Sequence, residues 1–364
     1  LSLHDALPIS GDNIVNAAEV AAGQTLTGKV SNAASGDTVT IILGGQTYTA
    51  TVQDDLTWSL PLTQSQLTAL GNGDLTVSAS VTNAHGNTGS SSLDVTIDAQ
   101  LPGLRIDTVA GDDVINVIEH AQNLVISGTS TDLAAGSTVT VTINGKSYSA
   151  SVLADGTWQA AVPAADVSRW ADGSLTISAS AQDTSGNPVN IGTVVDVDLA
   201  PVAISINSVT DDNVLNAAEK GQDLVLSGSS SNVEAGQTVT IIFAGKTWTT
   251  MVDANGDWTC TVPAADLSGL KDGDASVQVS VTNVNGNAAS SSQAFSVDTA
   301  APAVTINTIS GDNMLNAAEA AQDLTLSGTS TAEAGQTVTV TFNGNQYTAQ
   351  VQANGSWTLD VPAA

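Results

Sequence analysis

A step of one hundred residues runs through this chain of 364. Trp58, Trp158 and Trp258 keep it, and Trp357 follows one residue short. Asp12, Asp112, Asp212 and Asp312 keep it, as do Glu19, Glu119, Glu219 and Glu319, and then Asp98, Asp198 and Asp298. The slip lies between "SSNVEAGQTV" at 230–239 and "STAEAGQTV" at 330–338, where one residue is deleted from a loop. Self-similarity at a fixed period identifies an array. This period is longer than one turn of a solenoid, so each unit can own a core. The expected architecture is beads on a string.

The units are read as 11–101, 102–201, 202–301 and 302–364. The second and third open with "PGLRIDTVAGDD" and "PVAISINSVTDD"; the first lacks that opening strand and carries "LSLHDALPIS" instead. That segment, 1–10, has no basic start and no long apolar run, so it does not read as a secretory signal. It resembles a translated sequencing adapter and is read as non-native. The fourth unit stops at "VPAA", which the second and third continue. The expectation is a piece of something longer, with two complete units and two cut ones, in which missing secretion or anchoring signals carry no information.

Within a unit the signal is strand. "STVTVTING" alternates Val139, Val141 and Ile143 against threonines, and Val39, Ile41, Val239, Ile241 and Phe243 repeat that face. "GSLTISASAQD" alternates Leu175, Ile177, Ala179 and Ala181. Period two over such runs reads as half-buried antiparallel strands. "DG" at 155–156 and "NG" at 255–256 and 354–355 predict tight hairpins, because both central residues must tolerate positive φ. The first unit has "DDL" there, a poorer turn. About seven short strands per unit with frequent turns predict an all-β fold, a tandem array of immunoglobulin-like β-sandwiches. With one cysteine in the chain there is no internal disulfide, and the cores must hold by packing.

The aromatics fit such cores. Trp158, Ala160 and Val162 alternate, as do Trp258, Cys260 and Val262, and Trp357, Leu359 and Val361. Ten residues earlier stand Tyr48, Tyr148, Trp248 and Tyr347. A repeated sugar-stacking platform is the competing reading, but the Trp shares its face with apolar residues, which favours packing. Cys260, where other units have Leu60, Ala160 or Leu359, reads as a small buried hydrophobe. Trp170 has no counterpart in the other units and is read as a local surface or loop-packing residue.

Charge excludes several functions. There are 36 acidic side chains against 7 basic ones, a net charge of −29. Such a chain is repelled by nucleic acid and by anionic membrane surfaces. No run is long and apolar enough for a spanning helix. His4, His85 and His120 fall at unrelated positions, and there is no nucleophile triad, phosphate loop or HExxH. No enzyme is expected.

The acidic side chains instead recur in a motif, "GDNIVNAAE" (11–19), "GDDVINVIE" (111–119), "DDNVLNAAE" (211–219) and "GDNMLNAAE" (311–319). A second element places an Asp before each linker proline at 98, 198 and 298, and a third ("TNAHGN", "QDTSGN", "TNVNGN") gives Asn83, Asp183 and Asn283 with Asn87, Asn187 and Asn287. Alternating strand directions put the motif and the linker Asp at the bottom of one unit, and the third element at the top of the next. The junction of the first two units is expected to gather Asp12, Asn13, Asn16, Glu19, Asp98 and Asp183. The next gathers Asp112, Asp113, Asn116, Glu119, Asp198 and Asn283, and the third Asp211, Asp212, Asn216, Glu219 and Asp298. Asp312 and Glu319 repeat the motif in the fourth unit. All these ligands are oxygens, which argues against zinc or copper and suits Ca2+ taking six to eight oxygens. The competing reading is that these residues cap turns and a helical turn.

Tandem units with "GDNxLNAAE", "ANGxWTxxVPAADL" and "VTNxxGN" resemble the bacterial immunoglobulin-like repeats of giant, type I-secreted, biofilm-associated (Bap-type) adhesins. The resemblance spans 11–364. It implies an extracellular stalk on a bacterial surface, stiffened by calcium at its linkers, that serves adhesion and biofilm formation. The partners implied are neighbouring repeats, with other cells, surfaces or glycans met through regions outside this chain. Asp112, Asp113, Asn116, Glu119 and Asp198 match the linker calcium motif. The first repeat has Asn13 where the second has Asp113, and the third lacks the Gly before its Asp pair, which leaves equal affinity at every junction open. The alternative is a set of modules that bind a glycan or host receptor through sandwich loops, for which Trp170 and the variable "SRWADG", "SGLKDG" and "TALGNG" loops are the hints.

Overall fold

The computed structural model describes residues 3–4 and 9–363. The chain divides into two compact units, Leu1–Pro201 with Asn285–Asn287, and Val202–Val284 with Ala288–Ala364. The first unit contains two β-sandwiches, and the second of these carries the full set of elements. They are β1 (Gly103–Ile106), β2 (Val114–Asn116), β3 (Leu124–Thr131), β4 (Thr138–Ile143), β5 (Lys146–Ser151), β6 (Thr157–Val162), the short helix α1 (Ala164–Val167), β7 (Gly173–Gln182) and β8 (Pro188–Asp198). One sheet runs β1-β3-β6 and the other β2-β8-β7-β4-β5. All pairs are antiparallel except β2 with β8, which run parallel with Asn116 beside Asp198.

The alternation in the sequence becomes the inner face of the sandwich. Val139, Val141 and Ile143 of β4 meet Ile177, Ala179 and Ala181 of β7, and Trp158, Ala160 and Val162 of β6, in one buried cluster. Trp170 belongs to that cluster, 4% exposed, and so is a core residue rather than a surface one. It occupies the position of Leu70 and Leu270, which pack against the neighbouring cores. Cys260 is buried in its own core, and burial raises its thiol pKa, which keeps it protonated.

The Asp155–Gly156 turn differs from the expected hairpin. It carries the chain from β5 in one sheet to β6 in the other, and of its two residues Gly156 takes the positive φ, 81°. The two-residue hairpin lies instead at Asn144–Gly145 between β4 and β5, where φ is 47° and 75°. In the first sandwich Leu56 stands where Gly156 does, with φ 66°. A left-handed Leu costs about 1–2 kcal/mol.

The first sandwich repeats both sheets. Its strand Ile14–Asn16 runs parallel to Thr88–Asp98, with Asn16 beside Asp98. Of the opening read as non-native, residues 1, 2 and 5–8 lie outside the described residues. Leu3–His4 pairs with Val30 and Lys29 at the sheet edge that β1 occupies in the second sandwich, and Ile9 is buried in the core.

In the second unit, a third sandwich has the same two sheets. A fourth set of strands forms a three-stranded sheet (Val304–Ile306, Leu324–Ser330, Ser356–Val361) and a two-stranded one (Thr337–Phe342, Asn345–Gln350). No counterparts of β7 and β8 cover it among the described residues, so Leu315 is 43% exposed where Leu215 is at 0%. No described helix is long and apolar enough to cross a membrane.

Candidate functional site

The acidic motif folds the same way in each sandwich. Asp12 accepts the Ile14 N–H at 3.0 Å, as Asp112 does from Val114, Asp212 from Val214 and Asp312 from Met314. The next residue, Asn13, Asp113, Asn213 or Asn313, adopts a left-handed φ of 60–69° and accepts a backbone N–H four residues back. Asn and Asp tolerate this conformation because their short side chains bond locally. Asn16 then accepts from the Glu19 N–H while Glu19 Oε2 accepts from the Asn16 N–H, a capping box that satisfies two donors at once. The same exchange joins Asn116 to Glu119, Asn216 to Glu219 and Asn316 to Glu319. The Asp212 carboxyl sits below the usual carboxylate range because the Val214 N–H and then the Thr210 hydroxyl favour its charged form. Asp211 is exposed at the position held by Gly11, Gly111 and Gly311.

The parallel strand pair then brings part of the expected set together. Asn16, which opens the capping box, lies beside Asp98. Asp98 is also reached by the second sandwich's turn between β7 and β8. Ser185 Oγ donates to Asp98 Oδ2 at 2.7 Å, and Asn187 Nδ2 donates to the Asp98 carbonyl at 2.9 Å. Asp183 organises that turn, accepting from the Ser185 and Asn187 N–H groups through Oδ1 and from Asn187 Nδ2 through Oδ2. Asn16, Glu19, Asp98 and Asp183 therefore gather around one seam. Asp12 and Asn13 stand further back. A strand advances about 3.3 Å per residue, so even Ile14 lies roughly 7 Å from Asn16.

Within the first unit the second sandwich repeats this at Asn116 and Asp198. Asn285 Nδ2 donates to Asp198 Oδ2 at 2.7 Å, and Asn287 Nδ2 to the Asp198 carbonyl at 3.0 Å. Asn283 belongs to the second unit, as do Asp211, Asp212, Asn216, Glu219, Asp298, Asp312 and Glu319. There Asp298 lies beside Asn216 in the same parallel register and accepts from the Ala300 N–H. The residues the sequence reasoning left out of its ligand sets are Ser185, Asn187, Asn285 and Asn287. Their signal was the repeated Gly-Asn pair at 86–87, 186–187 and 286–287.

The donor set fits a hard cation in kind, since every side chain at the seam offers oxygen. Among the described residues no three Asp, Glu, His or Cys side chains converge as a metal cluster. At the first seam, apart from Glu19 engaged in its capping box, the carboxylates are Asp98 and Asp183, joined by the amides of Asn16 and Asn187. A Ca2+ ion there needs backbone carbonyls or waters to complete six to eight oxygens.

No protein-family model and no curated protein matches the chain. Solved structures do. A Ca2+-stabilized adhesin that helps an Antarctic bacterium reach out and bind ice is 34% identical over 99% of this chain and 91% of that one, with a TM-score of 0.40. A 1.5-MDa bacterial ice-binding adhesin, described for host cell surface retention, is 32% identical over 80% and 96%, TM-score 0.42. A tetra-tandem repeat in the extending region of a large adhesion protein is 30% identical over 98% and 89%, TM-score 0.35. The kinship rests on identity along nearly the whole chain. These relatives are adhesin repeats, not enzymes.

Proposed function

We propose, from the premise that this chain belongs to the family of immunoglobulin-like tandem repeats of large bacterial adhesins, that it is a stalk segment rigidified by calcium at its repeat junctions. The observation that carries the reading is the 34% identity, along 99% of the chain, to an adhesin that calcium stabilises. The seam at Asp98 supports it. Asp98 ends the first sandwich and Asp183 begins the turn of the second, so two carboxylates from different sandwiches share one neighbourhood. Like charges so placed repel. Bound calcium would neutralise them and tie the two sides. Asn16 and Glu19, fixed by their capping box, hold the rest of the seam in place. Asp98 and Asp183 would be the principal ligands, with Asp198 at the next such position.

Outside a cell, millimolar calcium fills sites of the weak affinity typical of extracellular modules. Binding to the folded state also stabilises each sandwich by mass action. On this reading the stalk lies on the outside of a bacterial surface and extends an adhesive region away from it, in support of cell adhesion and biofilm formation. Contacts with cells, surfaces or glycans are assigned to other parts of such an adhesin. The glycan-module reading needs an exposed aromatic platform, and none of the six Trp, three Tyr and three Phe side chains is exposed.

Calorimetric titration of the chain with calcium, paired with small-angle scattering in chelator and in calcium, tests the proposal. Uptake that falls when Asp98→Ala is introduced, with a larger maximum dimension in calcium, is expected. Superimposable scattering curves in the two conditions would end the stiffening role.

A further inference from the structure

The Asn187 amide is buried, 1% exposed, although it lies in a turn at the end of a sandwich. Its Oδ1 accepts from the Ala17 N–H at 2.8 Å, and its Nδ2 donates to the Asp98 carbonyl and to Asp183 Oδ2, both at 2.9 Å. Ala17 and Asp98 belong to the first sandwich and Asp183 to the second. One acceptor and two donors are thus all engaged, two of the three across the seam. Ala17 directly follows the three-residue strand Ile14–Asn16, and Asp98 ends the strand beside it. The amide therefore clips together, from outside, the end of that three-residue strand and the end of the strand beside it. Within the first unit Asn287, 3% exposed, does the same to the Val117 N–H at 2.8 Å and the Asp198 carbonyl at 3.0 Å.

The turn does not need this amide for its own sake. Asn87 occupies the same place in the first sandwich's turn, its N–H bonds to Asn83 Oδ1 as that of Asn187 bonds to Asp183 Oδ1, and its side chain is exposed. Nor would another side chain substitute. A hydrocarbon would leave the part-buried Ala17 N–H and Asp98 carbonyl without these partners, and a group shielded from water and left unpaired costs more than its bond contributes. An aspartate would lose both donors and set a third carboxylate against Asp98 and Asp183.

We infer that Asn187 is a cation-independent latch through which the second sandwich holds closed the Ile14–Asp98 end of the first. The latch consists of direct hydrogen bonds and stands without the calcium reading. It makes neighbouring repeats energetically coupled, as nearest-neighbour interfaces do in repeat arrays. The partner this Gly-Asn turn recognises is the end of a preceding repeat of this chain's kind, where the short parallel strand lies beside the linker Asp.

Hydrogen exchange followed by mass spectrometry on the full chain in chelator reads the latch through the segments 14–20 and 114–120. Asn187→Ala should speed exchange at Ala17 by about tenfold or more, leave 114–120 unchanged as an internal control, and have no counterpart in Asn87→Ala. Asn187→Leu, which roughly keeps the volume but offers neither acceptor nor donor, should do the same, and serves if the alanine variant fails to fold. Unchanged protection of Ala17 in both Asn187 variants overturns the latch. Protection of Ala17 that appears in the unmodified chain when calcium is added, and is missing in chelator, overturns it too, while leaving the calcium-stiffened stalk intact.

Discussion

Gly128 faces the indole of Trp158 across the pair β3–β6. A Cβ there would lie 2.4 Å from the ring and 1.9 Å from the Arg105 carbonyl oxygen. Gly28, Gly228 and Gly328 meet Trp58, Trp258 and Trp357 in the same way. The glycine is needed for close approach, so that β1, β3 and the indole can occupy one layer. Gly128→Ala should destabilise the second sandwich by about 1–3 kcal/mol, the usual cost of overpacking. Denaturant unfolding followed by tryptophan fluorescence measures this, and an unchanged midpoint would refute the packing account. The tryptophans were legible as core from period two along their strands. The glycine was not, because cross-strand register is a property of two distant segments. Trp170 was misjudged for a related reason. Compared by identity it stands alone, while compared by position it replaces Leu70 and Leu270 as a larger plug of the same hole.

At the scale of elements, the acidic motif is a piece of turn chemistry before it is anything else. Its Asp caps a turn, its second residue takes the left-handed conformation, and its Asn and Glu close a box around the chain as it leaves the parallel strand. Asn116→Ala should cost the second sandwich about 1 kcal/mol, as loss of a cap does. The loss should appear equally in chelator and in calcium, because the box is made of protein groups. A thermal melt that shows it in calcium alone would assign Asn116 to the ion instead. The sheets were legible in the alternation of β4, β6 and β7, and the capping role in the spacing of Asn and Glu. The parallel pairing of β2 with β8 was not, because three residues are too few for a period to register. That pairing sets Asn16 beside Asp98 and leaves Asp12 behind, which is why the seam gathers part of the expected ligands.

For the whole molecule, 36 acidic groups face 7 basic ones, and the described ion pairs are Arg105–Asp107, Lys146–Asp166 and Lys246–Asp266. The surface charge is therefore managed by solvent and cations more than by partners in the chain. The parallel strands also bear on what happens when such a chain is put under tension. In the second sandwich, load entering at Gly103 and leaving at Asp198 runs along β8, and β2 grips that strand lengthwise. The backbone bonds between them must then shear together, whereas a hairpin edge tears one rung after another. In single-molecule pulling the sandwich should withstand a greater force through those two ends than across its β4–β5 edge. Equal rupture forces in the two directions would show that the grip contributes nothing to the strength of the rope.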